Sequence, residues 1–251
     1  MQPLLIGGIA GLASGLFGIG GAIIATPLLR LSGVEPLVAL ATPLPGVIPT
    51  ALAGAVAYWR HGLVRWETAA WILLGGLPTT VVGALTTRIV GGQSLMLLTG
   101  LLLCLVGLRF LWESRGIHPL PEATEALVAS PSWALLVGIG AITGFLGGLL
   151  AIGGGIILVP ALTLLLGFPL KQALATSLVC VAGLALPGAL VHTWLGHIRA
   201  DVLLPFLAGS IPLSYLGGSL AVRLPSRQLR LLYGLATIAF AVYFLWTQWR
   251  G

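Results

Sequence analysis

Residues Gly15–Leu28 read GLFGIGGAIIATPL and lie inside the first apolar run of the chain; residues Gly148–Ala161 read GLLAIGGGIILVPA and lie inside a later one. Each stretch puts a glycine cluster and a proline where an unbroken membrane helix would be expected. Glycine costs about 1 kcal/mol and proline about 3 kcal/mol in a helix interior. Freed backbone groups at membrane depth survive only inside protein or beside a water-filled cavity. Two such breaks at matching places mark a duplicated structural unit.

The composition points to the bilayer. Of 251 residues, 58% are apolar and 7% charged. A globular domain carries about 25% charged residues, so this chain cannot cover a water-facing surface. The net charge of +6 is the excess of twelve basic over six acidic residues, the basic ones spread singly or in small groups between apolar runs. That spread argues against a nucleic-acid surface and fits loops facing anionic headgroups. The start, Met1-Gln2-Pro3, lacks the basic flank of a cleaved signal peptide, so the first run reads as a retained membrane segment. Cys104 and Cys180 stand alone in apolar runs, without zinc-ligand spacing, and read as packing residues.

Eight apolar runs follow: Pro3–Leu31, Pro36–Trp59, Trp66–Thr87, Ser94–Trp112, Ser132–Gly167, Leu170–Leu195, Val202–Val222 and Leu229–Trp249. The fold class is all-α, a polytopic membrane protein. A shift of 133 residues lays Gly15, Gly20, Gly21 and Pro27 on Gly148, Gly153, Gly154 and Pro160. A shift of 134 lays Ala39–Thr42 on Ala173–Thr176, both ALAT, then Arg65 on Arg199, Glu67 on Asp201, and Gly75, Pro78 and Gly83 on Gly209, Pro212 and Gly217. From Gly33 to Trp112 about 30% of positions agree at that shift, the mark of an internal repeat. The expected division is a first repeat over 1–112, a linker over 113–131 and a second repeat over 132–251.

The first run of each repeat decides the topology. If it is one kinked span, there are eight spans and parallel repeats, and the basic residues divide six to six between the two sides. If it dips in and returns, each repeat crosses an odd number of times and the repeats are inverted. One side then holds Arg60, Arg65, Arg109, Arg115, Lys171, Arg223, Arg227 and Arg230, and the other Arg30, Arg88, Arg199 and Arg250. Basic residues concentrate on the cytoplasmic side, so the bias favours inverted repeats with a broken or re-entrant first helix.

The breaks also suggest chemistry. N–H groups at the start of a half-helix carry partial positive charge and suit an anion, and glycines let the backbone approach it. Gly20, Gly21, Gly153, Gly154 and Gly155 are therefore candidate substrate-binding residues, with Pro27 and Pro160 as helix breakers. Close helix packing is the competing role for small residues, and the i, i+4 pairs Gly11/Gly15 and Gly144/Gly148 are assigned to it. Thr42, Thr176 and Ser177 repeat beside the breaks; they could serve an oxyanion or bond back to their own helix. Pro43 stands where Ser177 has its counterpart, so the halves should not bind symmetrically. His192, opposite Tyr58 in the repeat, is either a substrate or proton contact or an interfacial histidine. No carboxylate lies mid-run, where proton and sodium carriers often place one.

With these residues in view, GLLAIGGGIILVPAL followed by KQALATSLV resembles the sulfite exporter TauE/SafE family of membrane permeases, and the first half resembles the same domain in degenerate form. The resemblance spans about Pro3 to Trp249. It implies a secondary transporter in the cell inner membrane, moving sulfite, an organosulfonate or a related small anion. A channel of the same fold or a carrier of small carboxylates is the alternative. The expected partners are the anion and the lipid bilayer, with room for a coupled proton or other ion and for a homodimer. No enzyme activity, cofactor, metal or nucleic acid is expected. Ala22, Pro43 and Ala151 depart from the family pattern.

Overall fold

The computed structural model describes the chain apart from residues 35, 87–100, 102–103, 106, 110, 113–130, 150–152, 195–197 and 250–251. All of the 113–131 linker except Pro131, and most of the fourth apolar run, thus lie outside the described residues. Among those described there are ten helices and no strand. They are α1 (Gln2–Phe17), α2 (Ala22–Leu31), α3 (Pro36–Ala41), α4 (Pro43–Trp59), α5 (Trp66–Thr86), α6 (Trp133–Leu149), α7 (Gly155–Pro160), α8 (Leu170–Trp194), α9 (Ala200–Arg223) and α10 (Ser226–Trp249). A π-helical turn, Ala161–Leu165, continues α7. Three helices, α5, α8 up to Leu190 and α9, are long and apolar enough to cross a bilayer.

Both first runs are broken as their glycines require. Helix α1 ends on Gly18 in the left-handed conformation, its N–H bonded to the Ser14 carbonyl. Gly20 is also left-handed at φ 64°, and α2 begins only at Ala22. At 16 residues α1 is about 24 Å long, short of the ~30 Å hydrocarbon core. The chain then turns back. A Cβ on Gly21 would lie 3.0 Å from the Ala10 carbonyl, so α2 starts beside the middle of α1 and descends. The second repeat does the same: a Cβ on Gly154 would lie 3.0 Å from the carbonyl of Thr143, the counterpart of Ala10.

Glycines set the helix partners and their directions. Cβ atoms on Gly7, Gly11 and Gly15 of α1 would lie 2.0–2.2 Å from the carbonyl oxygens of Phe206, Ser210 and Ser214 of α9. The two series rise together, so α1 and α9 are parallel, with their backbones in contact. The repeat counterparts behave alike: Gly140, Gly144 and Gly148 of α6 meet the carbonyls of Ile72, Gly76 and Thr80 of α5 at 2.1–2.3 Å. The first helix of each repeat therefore packs on a later helix of the other. Small residues allow this in a membrane, where close backbone approach supplies the attraction between helices.

Further contacts orient the rest. Gly54 of α4 lies beside Gly15 and Ser214, while Thr50 Oγ1 and Ser210 Oγ are 2.7 Å apart. Gly46 faces Phe206, so α4 rises with α1 and α9. Across to α8 the order reverses: Gly188 lies near Leu44 and Gly54 near Leu178. Cys180 bonds the Ala69 carbonyl and Gly183 meets Leu73, so α5 descends with α8. Taking α1 as rising, α1, α4 and α9 rise, while α5, α6 and α8 descend. Each of α1, α4 and α5 thus runs opposite to its repeat counterpart α6, α8 and α9.

The exterior is apolar. Leu4, Leu5, Ile9, Leu74, Val82, Leu85, Leu204 and Leu216 are all exposed. Trp59, Trp66, Trp133 and Trp194 are exposed at helix ends, where amphipathic rings sit at the headgroup level. The interior holds Ile23, Ile24, Val47, Leu174, Leu178 and Val181, with hydroxyl side chains set among them.

Candidate functional site

The two breaks meet. A Cβ on Gly155 would lie 2.6 Å from the Gly18 carbonyl and 2.9 Å from Ile19 Cα. Val181 of α8 wedges against both: its Cγ1 is 2.5 Å from a Cβ position on Gly20 and 3.4 Å from one on Gly153. Val47 of α4, the repeat counterpart of Val181, lies 3.3 Å from the same position on Gly20. The meeting point is thus framed by Gly18–Gly21, Gly153–Gly155, Val47 and Val181. Gly20, Gly21, Gly153, Gly154 and Gly155 are all buried there. Pro27 and Pro160 are buried inside α2 and at the end of α7.

The hydroxyls divide. Ser177 donates to the Gly18 carbonyl at 2.7 Å, so a serine of the second repeat satisfies the turn of the first. A serine has one O–H to donate, and in this arrangement that donor is taken. Thr176 Oγ1 accepts the backbone N–H of Arg65 at 3.2 Å, and Thr42 Oγ1 accepts that of Arg199 at 3.4 Å. These two bonds are repeat counterparts. Each tethers the loop ahead of one repeat's penultimate helix to the other repeat, so Thr42 and Thr176 sit between the central breaks and the molecule's two ends. The side chain of His192 lies outside the described residues.

Electrostatics differ between the ends. At the upper end Arg65 Nε donates to Gln172 Oε1 at 3.0 Å, a neutral partner. Beside it a cleft of about 220 Å³ is lined by Arg65, Glu67, Thr68, Pro131, Leu136 and Phe168. At the lower end Arg199 is paired with Asp201 through both nitrogens of its fork. Among the described residues no cluster of three or more His, Cys, Asp or Glu side chains could hold a metal.

Residues 4–244 match the family described as sulfite exporter TauE/SafE. The chain belongs to that family. It is 34% identical to a probable membrane transporter protein of Xylella fastidiosa, over 99% of this chain and 97% of the relative. It is 29% identical to the probable membrane transporter protein YunE of Bacillus subtilis, over 86% and 85%. A probable membrane transporter protein of Methanocaldococcus jannaschii is 28% identical over 70% and 67%. No solved structure matches the chain. This TauE/SafE protein is therefore a membrane transporter, embedded in a bilayer and serving a small substrate.

Two features of the site escaped the sequence reading. Val47 and Val181 are identical under the 134-residue shift, a signal hidden because matching valines are common in apolar runs. Ser14 is the other. It is fully buried on α1, and its Oγ has no hydrogen-bond partner among the described residues. Its counterpart is Gly147, and only that mismatch could have drawn attention to it.

Proposed function

We propose that the chain is a multi-pass carrier of the cell inner membrane, with no enzymatic step, that moves a small anion through the point where its two broken helices meet. Sulfite, an organosulfonate or a related sulfur anion is the favoured substrate. The observation that carries the reading is the pair of buried helix breaks in contact with each other. Helix α2 starts there with no side chain capping it, so its first N–H groups are free for an anion at membrane depth. The repeats, over 1–112 and 132–251, are taken as inverted. That assignment rests on the opposed directions of their corresponding helices and puts Arg60, Arg65, Lys171, Arg223, Arg227 and Arg230 at one end, against Arg30 and Arg199 at the other. The richer end is the cytoplasmic one by the positive-inside rule. Alternate exposure of a site between inverted repeats is a recurring carrier mechanism. The Arg65 cleft is the entry from the cytoplasm.

The test is flux. Purified protein in proteoliposomes should take up hydrogensulfite, methanesulfonate or ethanesulfonate with saturation, and labelled substrate inside should exchange against the same anion outside. Flux without saturation or exchange would favour a channel. Absence of flux and binding for all three, and for sulfate and small carboxylates, would remove the anion reading.

A further inference from the structure

The two breaks have the same topology but not the same room. Gly147 of α6 lies so near the second break that a Cβ there would be 2.8 Å from Gly154 N and 2.9 Å from Gly154 Cα. No side chain fits between α6 and that turn. At the matching place in α1 the chain carries Ser14. The surrounding geometry is held in common, since Gly21 approaches Ala10 just as Gly154 approaches Thr143, each at 3.0 Å. Ser14 lies one helical turn after Ala10, on the same face of α1. By correspondence with Gly147, which lies against Gly154, the side chain of Ser14 belongs on the side of α1 that faces Gly21 and the start of α2.

Two unmet needs coincide there. Ser14 is 0% exposed and its Oγ has no partner among the described residues. The start of α2 is buried, and Gly21 supplies no side-chain cap. A buried polar group without a partner costs on the order of 1–3 kcal/mol, and a buried helix end without partners calls for a ligand or water. The ten-residue α2 descends from the level of Ala10, so its first N–H groups face upward, toward the level at which Ser14 lies.

We propose that Ser14 is a substrate-binding residue, and that its hydroxyl and the first N–H groups of α2 form the principal anion subsite. This rests on the anion-carrier reading and narrows it to the first repeat. The donors are neutral: one hydroxyl and a row of amides. The other side chains framing the break, Val47, Val181 and Ser177, carry no charge. With no full positive charge to offset burial, a second negative charge would be costly. The subsite is suited to a compact, singly charged oxyanion such as a sulfonate, and should discriminate against a dianion such as sulfate.

The experiment compares wild type, Ser14→Ala and Ser14→Thr in detergent, with methanesulfonate, sulfite and sulfate as probes. Binding is read by calorimetry and by the thermal shift each probe produces. Ser14→Ala should weaken binding of methanesulfonate or sulfite by ~10- to 100-fold, the loss expected for a hydrogen bond to a charged group. Its melting temperature without ligand should stay equal or rise, because the lost hydroxyl had no partner. Ser14→Thr keeps the hydroxyl and should retain more affinity than Ser14→Ala. If wild type binds a probe and Ser14→Ala binds it equally well, the Ser14 subsite is wrong while the carrier reading stands. A fall in ligand-free stability that tracks the affinity loss would make Ser14 a structural residue and also overturn it. Wild type that binds none of the three overturns the subsite and the anion reading together.

Discussion

The two helix breaks are the instructive comparison. By motif the second is the fuller: it keeps Gly153-Gly154-Gly155 and is followed by Thr176-Ser177, where the first has Gly20-Gly21-Ala22 and Thr42-Pro43. By geometry the second is the tighter. Its turn lies directly on Gly147, and it opens into a six-residue α-helix that passes into a π turn. The first has left-handed residues at Gly18 and Gly20, a regular ten-residue α2, and a serine hydroxyl in the place of Gly147. Richness in glycine thus marks the break that must close against its neighbours, and loss of one glycine opens the other. Neither α2 nor α7 has a side-chain cap; what sets the first break apart is the buried hydroxyl of Ser14, which has no hydrogen-bond partner among the described residues.

The largest expected effect comes from forcing the breaks apart. Gly155→Val puts a branched side chain where even a Cβ would be 2.6 Å from the Gly18 carbonyl and 2.7 Å from Val181 Cγ2. Overpacking of this kind costs typically 1–3 kcal/mol. Because it acts where both breaks touch, anion flux should drop to background even in protein that elutes as a single symmetric peak. Flux above a tenth of wild type would separate transport from the meeting point.

Ser177→Ala comes next and sharpens the contrast with Ser14. Ser177 satisfies the Gly18 carbonyl at 2.7 Å, so its removal leaves a buried acceptor unpaired, at about 1–3 kcal/mol. The melting temperature should fall by several degrees without ligand. Ser14→Ala, with no partner to lose, should not show that fall. If the two variants behave alike, the division into a supporting hydroxyl and a binding hydroxyl fails. Pro43, the counterpart of Ser177, offers no such bond to the second break.

Much of this was legible in the sequence, for physical reasons that can be named. Breaks at Gly15–Leu28 and Gly148–Ala161 were visible because glycine and proline act locally. The repeat was visible because Gly11, Gly15, Gly144 and Gly148 must stay small wherever a foreign carbonyl touches them. The partners that require this smallness were not visible. Nothing local in α1 tells that its neighbour is α9, more than 180 residues away, or that Ser177 reaches Gly18. The unpartnered state of Ser14 is likewise a property of what surrounds it, and no residue type carries it. Thr42 and Thr176 stood out by their repetition, but their bonds to the backbone of Arg199 and Arg65 come from crossing between repeats, which spacing alone does not encode.

Those two tethers supply a smaller test. Thr176→Val and Thr42→Val are near-isosteric and each removes one acceptor from a backbone N–H that is only part-buried. Water can replace part of what is lost, so each should cost about 0.5–1 kcal/mol. The informative quantity is the ratio between them in transport. The Thr176 tether holds the loop beside the Arg65 cleft, whereas the Thr42 tether holds an arginine already paired with Asp201. Thr176→Val should therefore raise the KM for anion uptake from the Arg65 end more than Thr42→Val does. Equal effects would mean that the two ends are functionally alike despite their different charge environments.

The smallest effect is expected at the lower end itself. Arg199 and Asp201 are both more than half exposed, and exposed ion pairs add little to stability because water and salt screen them. Asp201→Asn should leave the melting temperature unchanged within error. Its value lies in charge: it leaves Arg199 with a neutral partner, as Arg65 has in Gln172. An anion approaching from that side would then meet an arginine without its carboxylate, so uptake from the lower end should become faster at low ionic strength, and the gain should vanish in high salt. A gain that persists in high salt would point to a local rearrangement of the loop. No change at either ionic strength would mean that the anion does not pass Arg199, and the lower opening would have to be sought elsewhere around the first break.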